Sequence, residues 1–304
     1  MVAGSSKKKH RSRRHKGVSV RKRPVKIDGL SLTIDDLGAI ARAEASFRIS
    51  TQARSRVRAS AKLVATLAKG SEPCYGINTG FGRLCNVRIP ASDVRRLQLN
   101  LIRSHAAGVG EPLGIEEVRL AIALRANALA RGNSGVRPEV IELLLSMLEN
   151  DILPRIPRIG SVGASGDLAP LAHLSQVLIG EGQALVDGKW VSGKTALRKK
   201  GLKPIQLQAK EGLALINGVQ ISLAMLCGAL LLSRSVVDAA DVTAAVSLEG
   251  LLGSVQPIDA RIHEVRPHPG QALVAGHLRS LLSGSKIVAS HVDCDRVQDP
   301  YSLR

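Results

Sequence analysis

The chain has 304 residues, 44% of them hydrophobic but only 2% aromatic, and a net charge of +18. That length and apolar content exclude a disordered polymer and allow one large core or two ordinary ones. With so few aromatics the core is built from Leu, Ile, Val and Ala, which suits packed helices better than sheets, and the expectation is a mainly α fold.

The charge is unevenly placed. Eleven of the 43 Lys and Arg and none of the 25 acids lie between Met1 and Lys26, so the surplus belongs largely to a tail. Residues 1–27 read as a basic, disordered extension without the apolar stretch of a secretory signal. Its Lys and Arg clusters could contact RNA, DNA or an acidic surface, or be simply solvated. Cys74, Cys85, Cys227 and Cys294 form no C-x-x-C pair, which suits a reducing, cytoplasmic setting.

The folded part opens near Asp28, with Thr33 placed to cap a helix in SLTIDD. Ala53–Ala68 carries Val57, Val64 and Leu67 near helical spacing and ends at Gly70. SEPCYGINTGFGRLCN, 71–86, is a loop of three glycines and a proline, of the kind that carries function on a helical scaffold. Ser92 is placed to cap a helix to about Arg103, a second runs from about Ile115 to Arg131 before Gly132, and Pro138 starts a third through Leu148. DILPRIPRIG forbids a helix and approaches the next segment extended; Leu168–Leu178 is helical, Asp187-Gly188 signals a hairpin, and 195–200 a short helix. From Lys210 to about Leu251 one long apolar helical region dominates, and its uncharged run 213–233 is long enough to cross a bilayer. Asn217, Gln220 and two glycines interrupt that run and charged helix-forming sequence continues from Arg234, so the centre of a helical bundle is the preferred reading over a membrane span.

IGSVGASGDLAPLAHLSQ, 159–176, poses the chemical question. Gly160, Gly163 and Gly166 follow prolines and do not match G-x-G-x-x-G after a strand; the second glycine of a G-x-S-x-G elbow falls one place early; a P-loop lysine is missing. Read alone, the stretch is a glycine-rich helix N-terminus with Ser165 or Asp167 as cap. A second chemistry uses Ala164, Ser165 and Gly166 together. If the Gly166 amide nitrogen attacks the Ala164 carbonyl carbon, a five-membered ring closes, and dehydration of Ser165 leaves an exocyclic methylidene. Glycine permits the compressed turn, serine supplies the leaving hydroxyl, and the product is a strong electrophile made from backbone.

GSVGASGDLAPLAH resembles the signature of the aromatic amino acid ammonia-lyases, the methylidene-imidazolone family of histidine, phenylalanine and tyrosine lyases and related aminomutases. YGINTGFG, NLIRSHAAGVG, KEGLALINGVQ and DRVQDPYSLR resemble further family segments in the same order, so the similarity covers about 28–304. It implies an N-terminal domain over 28–209 that carries the Ala-Ser-Gly loop, one small hairpin, and from 210 the first long helices of a central bundle that is incomplete here. It also implies a prosthetic ring formed autocatalytically from Ala164, Ser165 and Gly166, with no external cofactor or metal, in a homotetramer.

Residue by residue, Tyr75 is similar to the family's catalytic lid tyrosine and Tyr301 to a second active-site tyrosine assigned to base chemistry. Asn217 resembles the asparagine that hydrogen-bonds the ring or substrate. Gln298 and Arg304 resemble site-lining residues, the guanidinium clamping the substrate carboxylate. His105, in Ser104-His105, resembles the position that faces the substrate side chain in histidine lyases. The reaction implied is elimination of ammonia from L-histidine to give urocanate; the alternatives are a tyrosine or phenylalanine lyase or aminomutase, or a non-catalytic remnant whose tail binds nucleic acid. Relatives continue beyond QDPYSLR into further long helices, so uncovered apolar surface is expected on the helix from Lys210. Asn133 departs from a position commonly aromatic in relatives.

Overall fold

In the computed structural model, residues 22–303 are described; Arg304 and residues 1–21 of the basic tail lie outside the described residues. Arg23–Ile27 is not part of a disordered extension: it forms strand β1, because Val25 and Ile27 are apolar on one face and bury there, and it pairs in parallel with β2, Ala45–Ile49. The two strands flank α1, Ile34–Ala41, whose start is a reciprocal capping box between Thr33 and Asp36.

The chain divides into two units, 1–224 and 225–304. The first holds a core of three long helices with α1 against them: α2 (Thr51–Lys69), α4 (Ile115–Ala130) and α5 (Pro138–Glu149). Ser50 caps α2, Pro138 occupies the first turn of α5, and Gly132 ends α4 with φ +90°, a conformation that a residue with a Cβ reaches only under strain. α4 packs on α5, and Leu120, Ile122 and Leu129 of α4 and Ile141, Leu144 and Met147 of α5 are all fully buried.

A second helical group stands where the loop emerges: α3 (Val94–His105), α6 (Leu168–Leu178) and α8 (Glu211–Ile216) pack on one another. The expected cap Ser92 is not used; α3 begins one residue later, after Asp93, which makes no side-chain cap bond. Short strands join the groups. β3 (Val109–Pro112) pairs antiparallel with β5 (Pro157–Ile159), and β4 (Leu153–Pro154), β6 (Gln183–Val186) and β7 (Lys189–Ser192) form a three-stranded antiparallel sheet. The β6–β7 turn is Asp187-Gly188, both with positive φ, as a two-residue hairpin requires. α7 follows over Gly193–Lys199.

The apolar region from Lys210 is two helices, not one. α8 ends at Ile216, Asn217 leaves the helical region at φ −88°, ψ 101°, and α9 restarts at Gln220 and runs to Gly250. By length and composition, 211–250 is apolar enough to cross a membrane. Leu226, Leu232, Val236 and Val246 of α9 are each more than 60% exposed, which is the uncovered apolar surface the sequence predicts.

The second unit adds elements beyond that long helix: a 3₁₀ turn at Gln256–Ile258, then α10 (Ala260–Val265), α11 (Pro269–Leu281) and α12 (Lys286–Ala289). Its small core is Ala245, Leu248 and Leu282, with Val255, Ile258, Leu278 and Val288 against them. The architecture is mainly α with small strands.

Leu144→Ala removes a fully buried side chain from the α4–α5 contact. It is expected to lower unfolding free energy by about 2–5 kcal/mol, read from the midpoint of a denaturant titration.

Candidate functional site

Ala164 and Ser165 are exposed at the tip of the loop that precedes α6, while its base is held tightly. Gly166 adopts φ +93°, and a Cβ there would overlap the carbonyl oxygen of Gly218, so glycine is demanded by both conformation and space. The next amide, Asp167 N–H, donates to that same Gly218 carbonyl at 2.6 Å. Asn217 Nδ2 donates to the Ser165 carbonyl oxygen at 2.7 Å and lies 3.4 Å from Ser165 Oγ. The break between α8 and α9 is therefore folded onto the Ala-Ser-Gly turn at Ser165 and Gly166.

Asp167 was expected only as a possible cap of its own helix, and it does not serve as one. Its carboxylate is 1% exposed. It accepts from Ser161 Oγ at 2.7 Å, from Ser222 Oγ at 2.7 Å and from Ser222 N–H at 2.8 Å. It thus caps α9 and ties the strand side of the loop to that helix.

The segment that presents Asn217 is anchored by charge and by glycine. Glu211, 1% exposed, receives Arg137 Nε and Nη2 at 2.8 and 2.9 Å, the Arg137 amide at 3.1 Å and the Gln208 amide at 2.7 Å. That bidentate pair raises the Arg137 pKa. Lys210 is held at φ +69° with Nζ donating to the Ser134 carbonyl at 2.8 Å, and burial lowers its pKa. At Gly212 a Cβ would stand 2.6 Å from the Gln98 carbonyl oxygen, so α8 rests backbone against backbone on α3. Gly76 also packs on α8, here against a side chain: with φ +71°, its Cβ would lie 2.6 Å from Leu213 Cδ2. The loop that carries Tyr75 is thereby docked on α8 one turn before Asn217, while Tyr75 is 57% exposed, its ring edge-on to Phe81 at 6.0 Å. Asn78 stiffens the same loop by accepting from Cys74 N–H and donating to the Leu67 and Glu72 carbonyls.

His105 ends α3, its Nδ1 2.8 Å from the Leu101 carbonyl. A carbonyl only accepts, so Nδ1 donates there, and in the neutral tautomer this leaves Nε2 as the acceptor. His173 is the reverse: Nε2 accepts from the Gly108 amide at 3.0 Å, and burial followed by the charge of Arg155 lowers its pKa.

Of the residues predicted to form the site, Ser165, Gly166 and Asn217 meet directly. Gln298 and Tyr301 belong to the second unit, where both are exposed, and Arg304 lies outside the described residues. Within that unit Gln298 lines an open cleft of about 600 Å³ with Ser254, Gln271 and His291, and neighbouring Asp299 accepts from Ser254 N–H at 2.5 Å, which lowers its pKa. Among the described residues no group of three His, Cys, Asp or Glu could hold a metal ion. Sequence reasoning missed the clamping role of Asp167, and it missed Ser222 and Arg125; the available signal was an arginine among the apolar residues of the second half of α4, IALRANALA.

Residues 32–304 match the model of the aromatic amino acid lyase family. The chain belongs to that family. It is 53% identical over 278 residues to the histidine ammonia-lyase of Myxococcus xanthus and 50% identical over 273 residues to that of Burkholderia cenocepacia, covering 91% and 90% of this chain. Among solved structures, it is 40% identical to the histidine ammonia-lyase of Trypanosoma cruzi, with TM-score 0.81 over 92% of this chain and 52% of that one. It is 35% identical to the tyrosine aminomutase of Streptomyces globisporus, with TM-score 0.83 over 92% of this chain and 56% of that one. The chain spans about half the length of the curated relatives it matches, 55% and 54% for the first two.

Gly166→Ala is expected to prevent the ring closure that the sequence resemblance implies: the chain should retain the full mass of its sequence between 159 and 176, read by digestion and mass spectrometry. His173 gives a pH dependence of known sign. Its pKa lies below the ordinary 6.5 in the folded state, so on acidification the unfolded chain takes up the proton first. Stability is then full above about 6.5 and falls as pH drops through the folded value; His173→Gln should flatten that slope in thermal melts at pH 5 to 8.

Proposed function

We propose that the chain carries the ring-forming half of a histidine ammonia-lyase, a carbon–nitrogen lyase that converts L-histidine to urocanate and ammonia. The observation that carries the reading is the clamp on Ala164-Ser165-Gly166: a left-handed glycine pressed on the Gly218 carbonyl, with Asn217 bonded to the Ser165 carbonyl. Ala164, Ser165 and Gly166 fit the methylidene-imidazolone group, since Gly166 takes the left-handed conformation that glycine allows and Ser165 is exposed. Such a group supplies an electrophile for the substrate amine and requires no external cofactor.

The remaining work falls to side chains. Asn217 Nδ2 orients the Ser165 carbonyl. His105, with Nε2 an acceptor in the neutral tautomer, suits a substrate side chain that donates a hydrogen bond, as an imidazole N–H does and a phenyl ring does not. The histidine ammonia-lyases to which the chain is 50–53% identical support histidine over tyrosine. Tyr75, on its docked but exposed loop, and Tyr301 are assigned to proton transfer, and Gln298 and Arg304 to the substrate carboxylate. The exposed apolar face of α9 is read as a helix-packing surface of a homotetramer in the cytoplasm and not as a membrane span, because Arg234, Asp238, Asp241 and Glu249 continue the same helix.

Turnover should follow these assignments. Urocanate formation is expected to fall to background in Ser165→Ala, and His105→Leu should reduce kcat/KM for histidine about tenfold or more, the equivalent of one hydrogen bond. Equal histidine turnover by Ser165→Ala and the unsubstituted chain would contradict the assignment.

A further inference from the structure

Arg125 is the least explained charge in the first unit. It sits on α4 among alanines and leucines, 3% exposed, and among the described residues its side-chain partners are not carboxylates. Its partners are neutral: Nη1 donates to Gln220 Oε1 at 2.6 Å and Nη2 to the Asn217 carbonyl at 3.2 Å, while Nε has none. Burial pulls its pKa down to about 10, which still leaves it charged at neutral pH. A cation held in an apolar core on neutral acceptors is costly, and a leucine would pack there more cheaply. Both acceptors lie in one place, the break between α8 and α9. The space is tight: a Cβ on Gly218 would overlap both Arg125 Nη1 and Gln220 Oε1, so residue 218 must be glycine for the guanidinium to reach.

That break is the element folded onto the Ala-Ser-Gly turn, through Asn217 Nδ2 on one side and the Gly218 carbonyl on the other. We propose that Arg125 is a positioning residue for formation of the prosthetic ring: its fork fixes the Asn217–Gly218 segment so that this segment compresses residues 164–166 into the geometry of attack. The inference rests on the reading that the ring forms in this chain. The bond made joins the Gly166 nitrogen to the Ala164 carbonyl carbon. The Ala164 oxygen leaves as water with the protons of the Gly166 and Ser165 nitrogens, and the Ser165 hydroxyl leaves as water with the Ser165 Cα proton. No oxidant or reductant enters, and the chain becomes lighter by two waters.

The test compares the full chain with Arg125→Met, Arg125→Lys and, as a control for lost stability, Leu144→Ala, reading the fraction of the folded protein whose 159–176 peptide has lost two waters. Arg125→Met is expected to lower that fraction at least tenfold, and Arg125→Lys, which keeps the charge but not the fork, to fall between. Leu144→Ala should match the unsubstituted chain, because destabilisation alone does not displace the Asn217–Gly218 segment. If Arg125→Met does not fold, Arg125→Lys decides the matter in the same way. Ring fractions in both Arg125 variants equal to that of the unsubstituted chain, or an equal loss in Leu144→Ala, overturn the proposal while leaving the ring reading intact. An unsubstituted chain at full mass overturns the ring reading and this proposal together.

Discussion

The contact on which the rest depends is that between Gly166-Asp167 and the carbonyl of Gly218, two glycines brought backbone to backbone from segments 52 positions apart. No side chain fits between them. Once that contact is made, the amide of Asp167 and the side-chain amide of Asn217 find their acceptors, and the serine of the triad is left at the surface of a turn with little freedom. Everything near it keeps the two segments in register. The Asp167 carboxylate clamps α9, Glu211 anchors α8 through Arg137, and Arg125 reaches the break from beneath.

This arrangement explains why so many polar groups are buried beside an otherwise aliphatic core. Asp167, Glu211, Gln98 and Arg125 are each under 4% exposed, and all touch the segment 208–222 or the loop before α6. Buried polar groups cost free energy unless bonded, so their concentration marks the region where a specific backbone conformation matters more than packing. The core between α4 and α5 is simpler, made largely of aliphatic side chains, with Arg125 the buried exception on α4.

Much of the fold was legible because its signals are local. Leu168–Leu178, Pro138 at a helix start, the Thr33 box and the Asp187-Gly188 hairpin all follow from periodicity and from turn or cap chemistry within a few residues. The break at Asn217 was not read as one, since the apolar run continues through it and the contacts that hold the interruption, with Ser165, Asp167 and Arg125, are distant in sequence. The short helices after Leu252 were missed because four to thirteen residues broken by Pro257, Pro267 and Pro269 carry little periodicity. Strand β1 was hidden by its basic neighbours, although Val25 and Ile27 alternate as an edge strand should. In the site, the Ala-Ser-Gly triad and Asn217 were recognisable as parts of a signature, whereas Arg125 and the clamping role of Asp167 depend on partners 55 to 95 positions away, which no spacing rule connects.

The central claim is that this fold closes a ring from its own backbone. Intact-mass measurement of the purified, unsubstituted chain, followed by digestion, tests it most directly. The account predicts a mass lower than that of the sequence by two waters, with the loss confined to the peptide that holds Ala164 to Gly166. A full-length mass with that peptide unmodified would contradict it.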